Sequence, residues 1–574
     1  MIGNVRLLLK SSVSLSLALI FLSCANQIPP PGGPIDTTPP TIISVYPRPN
    51  TLHYSEKRLD LAFDKYVDHR SVEESIFISP YISDLEFDWS GKDVEVTFSG
   101  ELRKNTTYVV TVGTDVTDLR SPPNHLAQSF TFAFSTGSSI DRGGIRGRIF
   151  PMKPQDPVDG VMIFAYRLTG LNPDTLDPRT QKPDYITQTG KGGEFFLRHL
   201  AFGPYRIIAV RDQYRNLLYD PEVDEFGVPP HDYSVTLADT LQDDVLLQMA
   251  KEDTSAPRLI SVDAKDRHHI QIEFSEIIDT SSTRPLVVSV TDTLTDNRIH
   301  VFSVYPELPS TSKFTVVTGT QDSTKGYLLA VDSVRDLSGN PANQKASSLV
   351  FTGSPKADTL LPRVTATSVK DSTRGIVLRP TIQILFSDAV NRATLEDAVT
   401  LQDGSGNDIP SSLTWLNDAA CTLRSRHELS SKSWYRLVLV TYNGKDWDGR
   451  SFRDSLSVIR FETLDAENLS SIEGTVVDTN APERNAPIIV IADRVDQKPQ
   501  NSYSTVATQN GSFTIAEIEE GRYVVHAFRD RNSTDKFDPG RPFPYVGSER
   551  FGYAADTLKV RARWPLEGVR IELE

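Results

Sequence analysis

Ile270-Gln271-Ile272-Glu273-Phe274-Ser275-Glu276-Ile277-Ile278-Asp279 is the stretch that decides the fold. Apolar and polar residues alternate up to Phe274, which predicts a strand with one buried face, and an acidic turn carrying an apolar pair follows. The same arrangement stands at Leu59-Asp60-Leu61-Ala62-Phe63-Asp64-Lys65-Tyr66-Val67-Asp68 and at Ile382-Gln383-Ile384-Leu385-Phe386-Ser387-Asp388-Ala389-Val390-Asn391. Upstream, each copy opens on Asp-Thr-x-x-Pro: Asp36-Thr37 to Pro40, Asp253-Thr254 to Pro257, Asp358-Thr359 to Pro362. Downstream, each has a strand led by a tyrosine (Tyr108, Tyr327, Tyr435) and then a turn, clearest at Asp336-Leu337-Ser338-Gly339-Asn340 and Asp446-Trp447-Asp448-Gly449. A last strand, 130–134, 349–351 or 458–461, closes the unit. About 100 residues of short strands spaced by turns is the signature of a β-sandwich.

A second repeat is interleaved with the first and occurs twice. Gly193-Glu194-Phe195 matches Gly511-Ser512-Phe513, Leu200 matches Ile518, and Gly203-Pro204-Tyr205 matches Gly521-Arg522-Tyr523. Ala209-Val210-Arg211-Asp212 matches Ala527-Phe528-Arg529-Asp530, and Asp220-Pro221 matches Asp538-Pro539. Each copy starts on an Ile-x-Gly strand, at Ile145-Arg146-Gly147 and Ile472-Glu473-Gly474. A second strand follows at 161–165 and 488–492, and short strands at 245–247 and 569–571 end the copies.

The three-fold repeat resembles the bacterial Ig-like module of S-layer and other envelope proteins, over roughly 37–137, 253–354 and 358–464. The first copy departs from that pattern, since Asp115-Val116-Thr117-Asp118 is not followed by Gly-Asn. The two-fold repeat resembles the transthyretin-like, or carboxypeptidase-regulatory-like, sandwich. There the Gly-x-Phe, Leu, Gly-x-Tyr order implies a hairpin whose large side chains fill the core, and the module is not catalytic. The expected fold is all-β: three Ig-like and two transthyretin-like β-sandwich domains in an elongated array with little helix, because no segment sustains a 3.6-residue apolar period.

The expected boundaries are a signal peptide at 1–23, a Pro/Gly-rich tether at 24–36, Ig-like domain 1 at 37–137, transthyretin-like domain 1 at 138–252, Ig-like domains 2 and 3 at 253–354 and 355–465, and transthyretin-like domain 2 at 466–574. The first 23 residues carry Arg6 and Lys10 and then an apolar run too short to span a bilayer. Phe21-Leu22-Ser23-Cys24 resembles a bacterial lipobox, in which the Cys24 thiol takes up a diacylglycerol. Because Ala25 rather than Asp follows, the resemblance implies lipid-anchored outer-membrane sorting, with the periplasmic face and the cell surface both open. The segment after it, with Pro29-Pro30-Pro31-Gly32-Gly33-Pro34, reads as a tether. The chain has 574 residues, 60 Lys+Arg, 75 Asp+Glu and a net charge of −15, which argues against a nucleic-acid partner. Two cysteines exclude a disulfide framework and a Cys₄ zinc site; Cys421 reads as a small core residue.

No catalytic constellation emerges. His427-Glu428 is followed by Ser431 where a zinc protease helix needs its second His, and no Gly-x-Ser-x-Gly elbow exists. Gly190-Lys191-Gly192-Gly193 reads as a hairpin turn, and His268-His269 as a solvated pair on opposite faces of a strand. Asp530, Asn532, Asp535 and Asp538 concentrate oxygen ligands within nine residues and suit calcium, against the alternative of an acidic turn capping backbone amides. Asp-Ser/Thr followed by an aliphatic residue or Thr occurs ten times, including at Thr175, Thr240, Thr293, Thr359, Ser455 and Thr557. It resembles an envelope O-glycosylation acceptor pattern, though Asp-Thr is also good turn chemistry.

These readings converge on a non-catalytic, lipid-anchored envelope protein acting as adhesive, scaffold or spacer, with an envelope protein or a glycan as partner. The long insertion 171–185 is the first place to look for that partner. The alternatives are a carbohydrate-binding or substrate-delivery lipoprotein, and an accessory subunit of a separate enzyme. A stacking platform of exposed aromatics would favour the former, but Trp89, Trp415, Trp434, Trp447 and Trp564 are scattered.

Overall fold

The alternation at Leu59, Ile270 and Ile382 becomes the same strand three times over in the structure, a computed structural model. It describes residues 36–573 apart from 83, 154, 281–285, 344–346, 479–485 and 498–500. The export signal, Cys24 and all of the tether but Asp36 lie outside the described residues. In Arg58–Phe63, His269–Phe274 and Thr381–Phe386 every second side chain, ending on the Phe, is buried. Each strand sits inside a four-stranded antiparallel sheet of the same order. A second sheet faces it, built around Thr107–Val112, Gly326–Asp332 or Trp434–Val440. Among the described residues helix is confined to short pieces such as His69–Glu73, whose first turn is capped by the Asp68 carboxylate accepting from the Ser71 amide.

Segments 138–252 and 466–574 share a different sandwich. In each, the Ile-x-Gly strand (Gly143–Phe150, Ser470–Val477) is the middle of a three-stranded sheet and runs parallel to a strand late in the segment (Leu241–Gln248, Leu566–Glu572). The register slips there, and the carbonyl of Val245 would lie 2.0 Å from a Cβ on Gly147, that of Val569 2.1 Å from one on Gly474. The glycine of the motif is required because a neighbouring backbone occupies the place of its side chain. No sheet among the described residues takes strands from two of the five segments.

The chain divides into two compact units, Met1–Ile140 and Asp141–Glu574. The first holds one Ig-like sandwich; the second holds the other four modules. An elongated row was expected from the short linkers, but within the second unit its first and last modules touch. The reason is the strand Gly521–Arg529. Tyr523, Val525 and Ala527 enter their own core, while Phe528 on the other face joins Phe551, Phe150 and Leu246 in a second cluster. An aromatic patch of that size left in water is costly, so the face is covered. Phe150 of one module stacks on Tyr553 of the other at 4.0 Å and 5°. The Tyr553 hydroxyl donates to Gln248 Oε1 at 2.8 Å, and the Tyr545 hydroxyl to the Pro229 carbonyl at 3.1 Å. The Arg206 guanidinium, paired with Asp232 at 2.9 Å, lies 3.7 Å from the centre of the Tyr545 ring.

Tyr545→Ala removes that cation–π contact and one hydrogen bond without touching either module's own core. Hydrogen exchange should then quicken around 229–232 and 541–548, by the equivalent of about 1–3 kcal/mol, with both sandwich cores still protected. Equal protection in the variant would show that this contact contributes nothing to the joint.

Candidate functional site

Each Ig-like module gathers its opening Asp, its acidic turn and its second turn at one apex, and the three apices differ in charge. In the first, Lys65 Nζ lies 3.0 Å from Asp36 Oδ2 and 3.5 Å from Asp118 Oδ2. The backbone amide of Thr38 and then Lys65 hold the Asp36 carboxyl well below the usual range. In the fourth module, Arg450 pairs with Asp358, and its guanidinium lies 2.9 Å from Asp446 and 3.7 Å from Asp388. The third puts Glu276 where the first has Lys65. Asp253, Glu276 and Asp336 bring their oxygens within 4.8 Å of one another, one of two such groupings among the described residues. No ion pair reaches any of the three among the described residues. Burial and then the Asp253 and Asp336 charges raise the Glu276 pKa, with Arg258 partly opposing.

The other grouping is Asp266, His269 and Asp358, and it corrects the expectation of a solvated histidine pair. His269 Nδ1 lies 2.9 Å from Asp266 and Nε2 3.1 Å from Asp388, so the ring bridges the third and fourth modules. Burial alone would lower its pKa, but the hydrogen bonds to Asp266 and Asp388 outweigh it and push the value up to about 10. A cation already fills this acidic pocket. His268 lies against Trp447, 5.3 Å between ring centres, and Tyr305, Val317, Ala389 and Ala419 complete a small buried cluster at the joint. Ala389 and Trp447 are the fourth module's apical apolar residues. Their counterparts in the third, Ile277 and Leu337, are 51% and 65% exposed.

The calcium candidates have another role in this geometry. Both oxygens of the buried Asp530 accept backbone amides, from Thr534 at 3.1 Å and Asp535 at 2.9 Å. Asp538 accepts from the Gly540 amide at 2.9 Å, and Asn532 from the Thr534 hydroxyl at 2.7 Å. The equivalent Asp212 accepts from Asn216 and Leu217. Leu217 and Asp535 share left-handed backbone, φ 61° and 56°, so the turn forms identically with a leucine where the cation would need a ligand. Asp535 stands there because Asp tolerates that conformation. Sequence reasoning missed Glu549, the counterpart here of Asp224. Both are buried and hold the loop ends, Glu549 accepting from Arg531 at 2.7 Å and Asp538 at 3.0 Å, Asp224 from Gln213 and Asp220 at 2.9 Å. Glu549 lies beyond the aligned stretch and differs in type from Asp224, so no motif marks the pair.

The remaining candidates fall where turn chemistry puts them. Thr175, Thr240, Thr293, Thr359, Ser455 and Thr557 are all exposed. The insertion 171–185 is partly engaged within the chain: Arg179 lies over the Phe543 ring at 4.2 Å, and the Pro173 carbonyl accepts from Arg206 at 2.7 Å. Cys421 is fully buried in its module's core, its thiol pushed up to about 12 by burial. His427 and Glu428 are exposed in a loop.

Two substitutions test these assignments. Asp530→Ala strands two amides and should cost about 1–3 kcal/mol for each, while the wild-type melting temperature stays level from chelator to millimolar calcium. A calcium-dependent rise would restore the metal reading. Glu276→Lys copies the first module and should raise the melting temperature at neutral pH by a few degrees. Glu276 has a raised folded pKa, so its favourable contribution exists below its unfolded pKa and is lost as pH rises through the folded value. The gap between variant and wild type should therefore narrow toward pH 4. A lower melting temperature for the variant at pH 7 would show that the three charges are not in conflict.

No curated protein sequence matches this chain. Among solved structures, the N-terminal part of the bacterial S-layer protein SbsC is similar at 14% identity and a TM-score of 0.16, covering 36% of this chain and 44% of that one. Domains 1–6 of SbsC give 10% identity and a TM-score of 0.15 over 91% of this chain and 66% of that one. L,D-transpeptidase 3 from Mycobacterium tuberculosis gives 10% and 0.15 over 26% of this chain and 79% of that one. This chain thus spans less than half the length of the first of these. The family model of the bacterial Ig-like domain matches residues 36–136 and 358–463, the two stretches in which the first and last of the three Phe-ending strands form.

Proposed function

We propose that this protein is a lipid-anchored scaffold of the bacterial envelope, held at the outer membrane through an acyl group on Cys24 and performing no chemistry of its own. The observation that carries the reading is the joint between the third and fourth modules. A protonated His269 between Asp266 and Asp388, backed by Trp447 and Tyr305, holds two sandwiches end to end at a fixed spacing. Spacing is what a scaffold supplies. The Ig-like match and the lipobox-like Phe21-Leu22-Ser23-Cys24 support the envelope location. The six exposed Asp-Thr and Asp-Ser hydroxyls are suited to carrying sugars that shield surface turns. Partners would be other envelope proteins or glycans, met on the exposed apices and loops rather than in a catalytic cleft.

Cys24→Ala should move the protein from the membrane pellet to the soluble fraction of its host and abolish labelling by a radioactive fatty acid. A variant that still sediments with membranes, unlabelled and released only by detergent, would refute the anchor.

A further inference from the structure

The joint between the second and fifth modules forms a half-open cavity of about 550 Å³ that the scaffold reading leaves without a use. Phe150, Phe528, Phe537, Phe551 and Tyr553 wall it. That volume, an apolar lining with a few convergent polar groups and a place between modules are the usual properties of a small-molecule site. The rings also pack on one another. Phe150 stacks on Tyr553, and Phe537 meets Phe528 and Phe551 edge to face at 5.9 and 5.2 Å. Walls of aromatic rings give a guest an apolar surface that suits a planar apolar body.

One corner is polar and incomplete. His526 Nδ1 is shielded from solvent and has no hydrogen-bond partner, and Asp493 Oδ2 lies 3.6 Å from it. Asp493 Oδ1 is already taken by the Ser502 hydroxyl. A buried polar atom left without a partner costs free energy, and a guest that supplies one recovers it. Burial lowers the His526 pKa, so the ring is neutral at neutral pH. The corner thus offers a carboxylate oxygen and a neutral imidazole, and the complementary group is a hydroxyl or an amine. Asp493 and Asp556 line the cavity against one guanidinium, Arg148, which disfavours an anion.

We propose that this cavity binds a small, flat, mainly apolar molecule bearing a hydroxyl or amine donor, held by Asp493 and His526. The site depends on both modules, so ligand and joint stabilise each other.

Two dyes of one skeleton test it: N-phenylnaphthylamine, neutral with an N–H donor, and anilinonaphthalene sulfonate, which adds an anion. The protein is the mature chain from residue 24 with Cys24→Ala, so that neither acyl group nor detergent is present. N-phenylnaphthylamine fluorescence should saturate at one dye per chain and bind at least about tenfold tighter than the sulfonate. Ala555→Trp, at the exposed rim, should abolish binding. Asp493→Asn, which keeps the side chain's shape, should weaken the neutral dye and narrow the difference between the two. Absence of saturable binding, equal affinity for both dyes, or wild-type binding by a folded Ala555→Trp chain would each overturn the proposal. Should Ala555→Trp fail to fold, unchanged affinities in Asp493→Asn overturn it alone.

Discussion

Every module depends on one buried tyrosine whose hydroxyl must find a partner. Tyr108, Tyr327 and Tyr435 are all but fully buried, and each hydroxyl accepts the amide of the residue five positions back: Arg103 at 2.8 Å, Asp322 at 3.0 Å and Ser430 at 2.8 Å. In the second and fifth modules the direction reverses. Tyr205 and Tyr523 donate to the carbonyls four positions back, Ala201 at 2.7 Å and Glu519 at 2.9 Å. A ring this large fills the space between two sheets, and its one polar atom reaches the turn that precedes its strand. Core and turn are fixed together, so the strand register that positions the apices and the joint follows from the same side chain.

On this common frame the modules differ where charge is placed. The first apex is neutralised by Lys65 and the fourth by Arg450 and His269; the third keeps three carboxylates with no ion pair among the described residues, and Ser338 and Asn340 donate to Asp253 and Asp336. The fourth apex is also the one that docks, its Trp447 lying 5.0 Å from Phe302 of its neighbour. Charge compensation and contact go together here, because carboxylates moved out of water need a partner. In the third module Asp253 is exposed and Glu276 half-buried, while the buried Asp336 is held by Asn340.

Much of this was legible. Strict alternation identified the Phe-ending strands, and the Gly-x-Tyr match identified the paired sandwiches. The joint was not legible, although half of its signal was present. Ile488-Ile489-Val490-Ile491-Ala492 and Val161-Met162-Ile163-Phe164-Ala165 do not alternate, which marks strands buried on both faces. Period alone cannot say what covers the outer face, and the covering partner lies hundreds of residues away. His269 was misread for the same reason: its partner Asp388 belongs to another module. The acidic loop is a different case. Its composition suits a cation, and its carboxylates also accept backbone amides, which a local count of carboxylates cannot see.

The closure of the fifth module on the second also sets an order of assembly. A chain synthesised from its N-terminus presents the face carrying Phe150 and Leu246 long before residues 521–553 exist to cover it. The third and fourth modules must fold in the interval, and once folded they act as a preformed spacer, so bringing the ends together costs less entropy than closing an open chain of that length. The contact centred on Phe528 is therefore among the last the second unit makes. Until then the earlier module carries an exposed aromatic face, open to chaperones and to the fifth module of a neighbouring copy.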